Sequence, residues 1–180
     1  MNERGILFCD CETTGISERD VIIEIGGILT DFNLNELDRI ELKVQFPYTL
    51  MTPAAQAKNG FNGDVWDKEA RPFSEFMSFL SNHSPYGTFW VPCGHNVGFD
   101  LAFIRRIYAE RKAFCPLSYH QIDTVGIACM LRSAGVFTPE DLKLETVCKA
   151  LGLPPSKHRA MADAEACLNI MQKARGLLCA

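Results

Sequence analysis

The stretch Phe8-Cys9-Asp10-Cys11-Glu12-Thr13-Thr14-Gly15 decides how this chain is read. It closes an apolar segment beginning at Gly5, so it is the end of a strand. Side chains alternate along a strand, and residues two apart share a face. Asp10 and Glu12 therefore face one space, and Cys9 and Cys11 face the other way. Two carboxylates pressed together repel, and a folded protein keeps such a pair when a cation compensates them. A hard divalent metal bound through oxygen suits that role. The segment is thus a candidate for metal-assisted chemistry on phosphates.

Working outward, Gly5–Cys11, Asp20–Thr30 and Arg39–Phe46 read as three strands. The turn residues Asp31-Phe32-Asn33-Leu34-Asn35 join the last two, which predicts an antiparallel meander. A stretch punctuated by Pro and Gly runs from Pro47 to Asp67. Helices and strands then alternate. Arg71–Asn82 and Gly98–Lys112 have apolar residues at helical spacing, with Phe99, Phe103, Ile104 and Ile107 on the inner side of the second. Gly87–Cys93 and Tyr119–Ile122 are short strands. Asp123 is placed to cap a helix over Thr124–Arg132. A helix over Leu142–Leu151 ends at Gly152, with Pro154-Pro155 beyond. The last helix covers Ala160–Arg175. This order predicts an α/β fold, a mixed sheet with helices packed on it.

At 180 residues the chain suits one domain, residues 1–180. It is 47% hydrophobic and 22% charged, and no apolar run is long enough for a bilayer. No membrane association is expected. The start of the chain lacks the pattern of a signal peptide, which predicts a cytoplasmic protein. The eight cysteines lie mostly in apolar segments and read as buried free thiols rather than a disulfide framework. Cys9-x-Cys11 has the form of half a zinc site, but alternation buries it and no second pair has the usual spacing. The net charge of −4 argues against extensive non-specific gripping of duplex DNA. It is compatible with an acidic, metal-neutralised site acting on a short single strand.

Three more residues extend the acidic set. Asp100 follows Gly94-His95-Asn96-Val97-Gly98-Phe99 at a strand–helix junction. Asp163 lies in the first turns of the last helix, and His158 precedes it by five residues. Five residues of regular helix leave two side chains roughly 140° apart. If His158 and Asp163 serve one site, His158 must lie in the loop before the helix or at its flared start. Taken singly, each residue has an ordinary structural reading. Asp-x-Glu is a solvated strand edge, Thr-Thr-Gly a turn, Asp100 and Asp163 acids favoured at helix starts, and His158 an exposed loop residue. Their joint occurrence in this order favours an active site.

Asp10-Cys11-Glu12-Thr13-Thr14-Gly15, His95-Asn96-Val97-Gly98-Phe99-Asp100 and His158-Arg159-Ala160-Met161-Ala162-Asp163 resemble the three motifs of the DEDDh 3′–5′ exonucleases. That family includes replicase proofreading subunits, ribonuclease T and the three-prime repair exonucleases. Glu24-Ile25-Gly26-Gly27 and Asp123-Thr124 are similar to it as well. The resemblance implies an RNase H-like fold with a five-stranded mixed sheet flanked by helices. It implies that Asp10, Glu12, Asp100 and Asp163 bind two divalent ions, Mg²⁺ or Mn²⁺. His158 would be the general base. Thr13, Thr14 and Gly15 would lie against the terminal nucleotide, and Asn96 near the substrate. Two ions roughly 4 Å apart suit phosphodiester hydrolysis, because they hold both the attacking and the leaving oxygen. The expected substrate is the 3′ end of single-stranded DNA or RNA, with DNA favoured, released as nucleoside 5′-monophosphates. The alternatives are an exoribonuclease of the ribonuclease T or oligoribonuclease type, and a catalytically weak nucleic-acid-binding subunit.

Some family members place a bulky aromatic after the first-motif glycine, where this chain has Ile16. Lys157, Arg159, Arg105, Arg106, Arg111 and Lys112 are candidate phosphate contacts, but Arg105 and Arg106 read as a solvated face and stay outside the site. Phe8, Trp66, Trp90, Cys167 and Met171 read as core. Phe89, Trp90 and the apolar C-terminus are candidates either for core or for an interface, in a homodimer or with a replication or repair partner.

Overall fold

A computed structural model describes residues 2–85, 87–155 and 158–178. Lys157 and Cys179 lie outside the described residues. The apolar run around Leu7 forms the central strand β1 (Asn2–Thr13). It pairs antiparallel with β2 (Ile22–Thr30) and parallel with β4 (Thr88–Gly94). The strand β3 (Glu36–Lys43) extends the meander from β2, and β5 (Ile122–Asp123) pairs parallel with β4. The five-stranded mixed sheet has the order β3-β2-β1-β4-β5.

The meander closes through the turn anticipated after β2. The Asp31 carboxylate accepts hydrogen bonds from the Asn33 and Asn35 N–H groups at 2.8 and 2.9 Å, and Leu34 takes the left-handed conformation at φ 63°.

Seven α-helices accompany the sheet among the described residues: α1 (Pro53–Asn59), α2 (Gly63–Glu69), α3 (Ser74–Asn82), α4 (Val97–Glu110), α5 (Thr124–Ser133), α6 (Leu144–Ala150) and α7 (Ala160–Leu178). The first two occupy the stretch that its Pro and Gly residues mark as punctuation. Pro53 stands at a helix start, capped by the Thr52 hydroxyl, and Gly60 takes the left-handed position after the end. These residues mark helix boundaries there rather than loop. The fifth strand also differs from expectation, being Ile122–Asp123 rather than Tyr119–Ile122. Pairing with the end of β4 is what selects it: Cys93 and Gly94 lie opposite Ile122 and Asp123, while Trp90 bridges back to Leu117 and Tyr119 is left exposed.

The pleat of β1 sorts its side chains as alternation requires. Leu7, Cys9 and Cys11 enter a core with Phe76 of α3 and Leu101 and Ile104 of α4. Ile6 and Phe8 point the other way, into a core with Met161, Ala164 and Cys167 of α7. Trp66 and Trp90 are buried, and Phe8 packs beneath α7. Cys9, Cys11, Cys93, Cys148 and Cys167 are buried free thiols. Cys129 departs from that pattern and is exposed on α5. No helix among the described residues is long and apolar enough to cross a membrane.

Gly26 sets how closely α7 approaches the sheet. A Cβ at this position would lie 2.5 Å from the Met161 nitrogen and 2.6 Å from the Ala160 carbonyl. The start of α7 therefore rests on bare β2 backbone, which brings its first turn over the end of β1.

Candidate active site

Asp10 and Glu12 continue the Ile6–Phe8 face of β1 toward the N-terminal end of α7. Asp163, on the first turn of α7, meets them there. Oxygens of Asp10, Glu12 and Asp163 lie within 4.8 Å of one another. Asp100 comes from the opposite layer. It sits in the first turn of α4, is 3% exposed, and its Oδ1 accepts a hydrogen bond from the Cys11 N–H at 2.8 Å. β1 runs beyond the last residue it pairs with on β4, Cys93, and Asp100 takes over that free edge. It therefore adjoins the other three carboxylates without joining their tight group.

The electrostatics follow from this crowding. Burial raises the Asp10 pKa well above the carboxylate range, and the charges of Asp100, Asp163 and Glu12 push it further. Glu12 is raised to about 8, first by burial and then by Asp163 and Glu24, with Arg159 opposing. Asp100 is raised to about 7 by burial, against which the Cys11 N–H stabilises its charge. The cluster thus consists of oxygen donors whose negative charge is unfavourable as it stands. That donor set fits hard divalent cations.

His158 lies in the loop before α7, exposed, with a left-handed φ of 50°. A cleft of about 710 Å³ brings it together with Asp10, Asp163 and Asn96. Asn96 is exposed there and left-handed at φ 61°, its N–H donating to Asp123 Oδ1 at 3.1 Å. The same Asp123 oxygen caps α5 through the Val125 N–H at 2.9 Å.

Beyond Glu12 a second cavity of about 510 Å³ is lined by Thr13, Gly15, Ile16, Lys58 and Phe99. Ile16 is 90% exposed at its rim. Thr13 donates its hydroxyl to the Gly15 carbonyl at 2.6 Å. Thr14, expected to lie against the terminal nucleotide, turns its side chain inward. It is fully buried, and its hydroxyl donates to Asp20 Oδ1 at 3.0 Å, so it shapes the loop from within. Phe99 also departs from its expected inner position and opens to this cavity, because the first turn of α4 projects past the end of β4.

Several residues have structural roles here that their sequence context did not give. Arg106 is one: its guanidinium donates to the carbonyls of Glu18 and Asp20, fastening the loop that carries Ile16. Arg105 donates to the Ser118 carbonyl at 2.9 Å. Neither forms part of a merely solvated face. His95 bridges Thr124 Oγ1 at 2.9 Å and the Leu142 carbonyl at 2.7 Å, tying the α6 approach to the cleft. Glu24 is fully buried and ion-paired with Arg159 at 3.0 Å. Its signals in the sequence are a charge inside the apolar run Ile22-Ile23-Glu24-Ile25 and the family-like stretch Glu24-Ile25-Gly26-Gly27.

A family model described as exonuclease, of the ribonuclease T type, matches residues 7–171, and the chain belongs to this family of DEDDh 3′–5′ exonucleases. It is accordingly a phosphodiester hydrolase acting as a 3′–5′ exonuclease. The oligoribonuclease of Yersinia enterocolitica is 30% identical over 135 residues, spanning 69% of this chain and 74% of that protein. The oligoribonuclease of Escherichia coli K12 is 27% identical over 137 residues, with the same coverage. Among solved structures, exonuclease I superposes with a TM-score of 0.79 at 24% identity, over 95% of this chain. E. coli exonuclease I in complex with a dA16 oligonucleotide gives 0.78 at 24% identity, over 96%. This chain spans about 40% of those exonuclease I chains, and the likeness is one of fold.

Proposed function

We infer that the chain is a single exonuclease domain that removes nucleotides from the 3′ end of short single-stranded RNA. The observation that carries the RNA reading is its similarity to oligoribonucleases over about three quarters of their length, 74%. This reverses the preference for DNA drawn from the motifs alone, which do not distinguish the sugars. Free, mostly buried cysteines fit a reducing, cytoplasmic compartment.

Asp10, Glu12 and Asp163, with Asp100 adjoining, would hold two divalent ions, Mg²⁺ or Mn²⁺. Bound there, the metal would supply electrostatic stabilisation of the phosphate charge and would acidify water at neutral pH. The protein's own residues orient and move protons. The carboxylates form one wall of the cleft and set where the terminal phosphate sits. His158 takes the proton of the attacking water at its imidazole nitrogen. Its exposure lets it return that proton to solvent. Water adds at phosphorus, the P–O3′ bond breaks, and the departing 3′ oxygen is protonated, leaving a nucleoside 5′-monophosphate. Gly15, Ile16 and Thr13, across the second cavity, receive the terminal nucleoside, and Asn96 lies beside the strand that precedes it.

The test uses RNA and DNA of the same sequence, labelled at the 5′ end, with Mn²⁺ and then EDTA. A ladder shortening stepwise from the 3′ end, dependent on metal, faster on RNA and lost in Asp10→Ala, is expected. Faster hydrolysis of DNA would overturn the substrate reading. Internal cleavage, or full activity in Asp10→Ala, would overturn the site.

A further inference from the structure

Glu24 sits directly across from Glu12 in the β1–β2 register. Like charges on facing cross-strand positions repel. Glu24 is nevertheless a fully buried carboxylate in an apolar strand, and Arg159 is what accommodates it. The Arg159 Nε lies 3.1 Å from both Glu24 oxygens, and its Nη2 lies 3.0 Å from Oε1. Glu41 stands at 3.9 Å on the outer side of the same guanidinium. This planar, two-point grip fixes the arginine in direction as well as distance.

The residue before this anchor is His158. It is exposed and held in the left-handed region that residues other than glycine avoid. The residues after the anchor are fixed independently. The Arg159 carbonyl accepts the Asp163 N–H at 3.0 Å, and Ala160 and Met161 press on Gly26. α7 is further packed through Ala164 and Cys167 against β1 and β2. Asp163 therefore has a whole helix to hold it, whereas His158 has the short tether to Arg159. The loop cannot swing without breaking a buried ion pair, and that is costly because it strands a charge in the core.

We propose that Glu24 and Arg159 are positioning residues for His158, holding its imidazole over the cleft. This rests on the assignment of His158 as proton acceptor. The pair touches no reacting atom and acts through the backbone at 158 and 159.

The test measures kcat and KM on a short 5′-labelled RNA at saturating Mn²⁺ for Arg159→Gln, His158→Ala and their combination. Arg159→Gln lowers kcat on the order of tenfold or more, as misplacement of a catalytic group does. KM and calorimetric Mn²⁺ affinity stay within about twofold, and in the His158→Ala background Arg159→Gln changes kcat by less than about twofold. Arg159→Lys recovers part of the loss. The double variant Glu24→Gln/Arg159→Gln replaces the ion pair by neutral amides of similar size. It shows the same drop in kcat with an unchanged circular dichroism spectrum, which separates positioning from misfolding.

An equal cost in both backgrounds would overturn the positioning role. So would weakened Mn²⁺ binding or raised KM with kcat preserved, either of which makes Arg159 a contributor to the metal or phosphate site. Wild-type kcat in His158→Ala would overturn the base assignment itself, and the proposal with it.

Discussion

Glu12 shows the electrostatics of the candidate site in one side chain. Burial and the neighbouring Asp163 and Glu24 raise its pKa from 4.5 to about 8. A group whose folded pKa is raised favours the fold in its protonated form. Its contribution is complete below the unfolded pKa and is lost as pH climbs through the folded one. Asp10 and Asp100 shift in the same direction. The metal-free protein should therefore lose melting temperature from about pH 5 to pH 8, the span set by these shifts. A divalent cation cancels the repulsion, so the stabilisation by Mn²⁺ over EDTA should be larger at pH 8 than at pH 5.5. Thermal melts at the two pH values check this, and an equal Mn²⁺ shift at both contradicts it. His158 belongs to the same scale. His158→Ala should lower kcat by roughly 10²–10⁴, the usual worth of a general base, with Mn²⁺ binding by calorimetry retained. Abolished Mn²⁺ binding would make it a ligand instead.

At the level of elements, the site depends on two helices docked on opposite faces of β1. α4 delivers Asp100 to the free edge at Cys11, and α7 delivers Asp163 over Asp10 and Glu12. The second docking requires a strand without side chains at the crossing. Gly26→Ala would place a methyl 2.5 Å from the Met161 backbone nitrogen, which must move. A loss of about 1–3 kcal/mol is expected from such overpacking, read as a lower urea midpoint, together with reduced activity. Gly126→Ala in α5 is the control. A Cβ there meets nothing within 4 Å, and a gain of about 0.5–1 kcal/mol should follow from helix propensity. If both glycines tolerate alanine equally, the close approach does not govern the docking of α7. A third contact at this scale is Arg106, which joins α4 to the carbonyls of Glu18 and Asp20 and holds the loop bearing Ile16.

For the molecule as a whole, charge and cavity size bound the substrate. The chain carries a net charge of −4 and a pI near 5.6. The two cavities flanking the carboxylates hold about 710 and 510 Å³. A protein of this kind engages few phosphates, and salt dependence counts the phosphates engaged. The slope of log(1/KM) against log salt should correspond to about one or two phosphates. A four-nucleotide RNA should have nearly the same KM as one of twenty. A steep slope, or a KM that falls continuously with length, would reveal a phosphate-binding track elsewhere on the surface.

The sequence by itself determined the meander and the alternation of strands and helices after it, though not the two short helices α1 and α2, and it determined the side of β1 on which Asp10 and Glu12 lie and the loop position of His158. These follow from short-range rules: alternation along a strand, a 3.6-residue helical repeat, and a capping residue such as Asp123. Tertiary structure alone decided which oxygens come together. It gave Asp100 to the Cys11 N–H, turned Thr14 inward onto Asp20, opened Phe99 to a cavity, and paired Arg159 with Glu24 across 135 residues. Local periodicity sets the face a residue presents. What that face meets depends on how α4 and α7 dock, and that in turn depends on close approaches such as the one at Gly26.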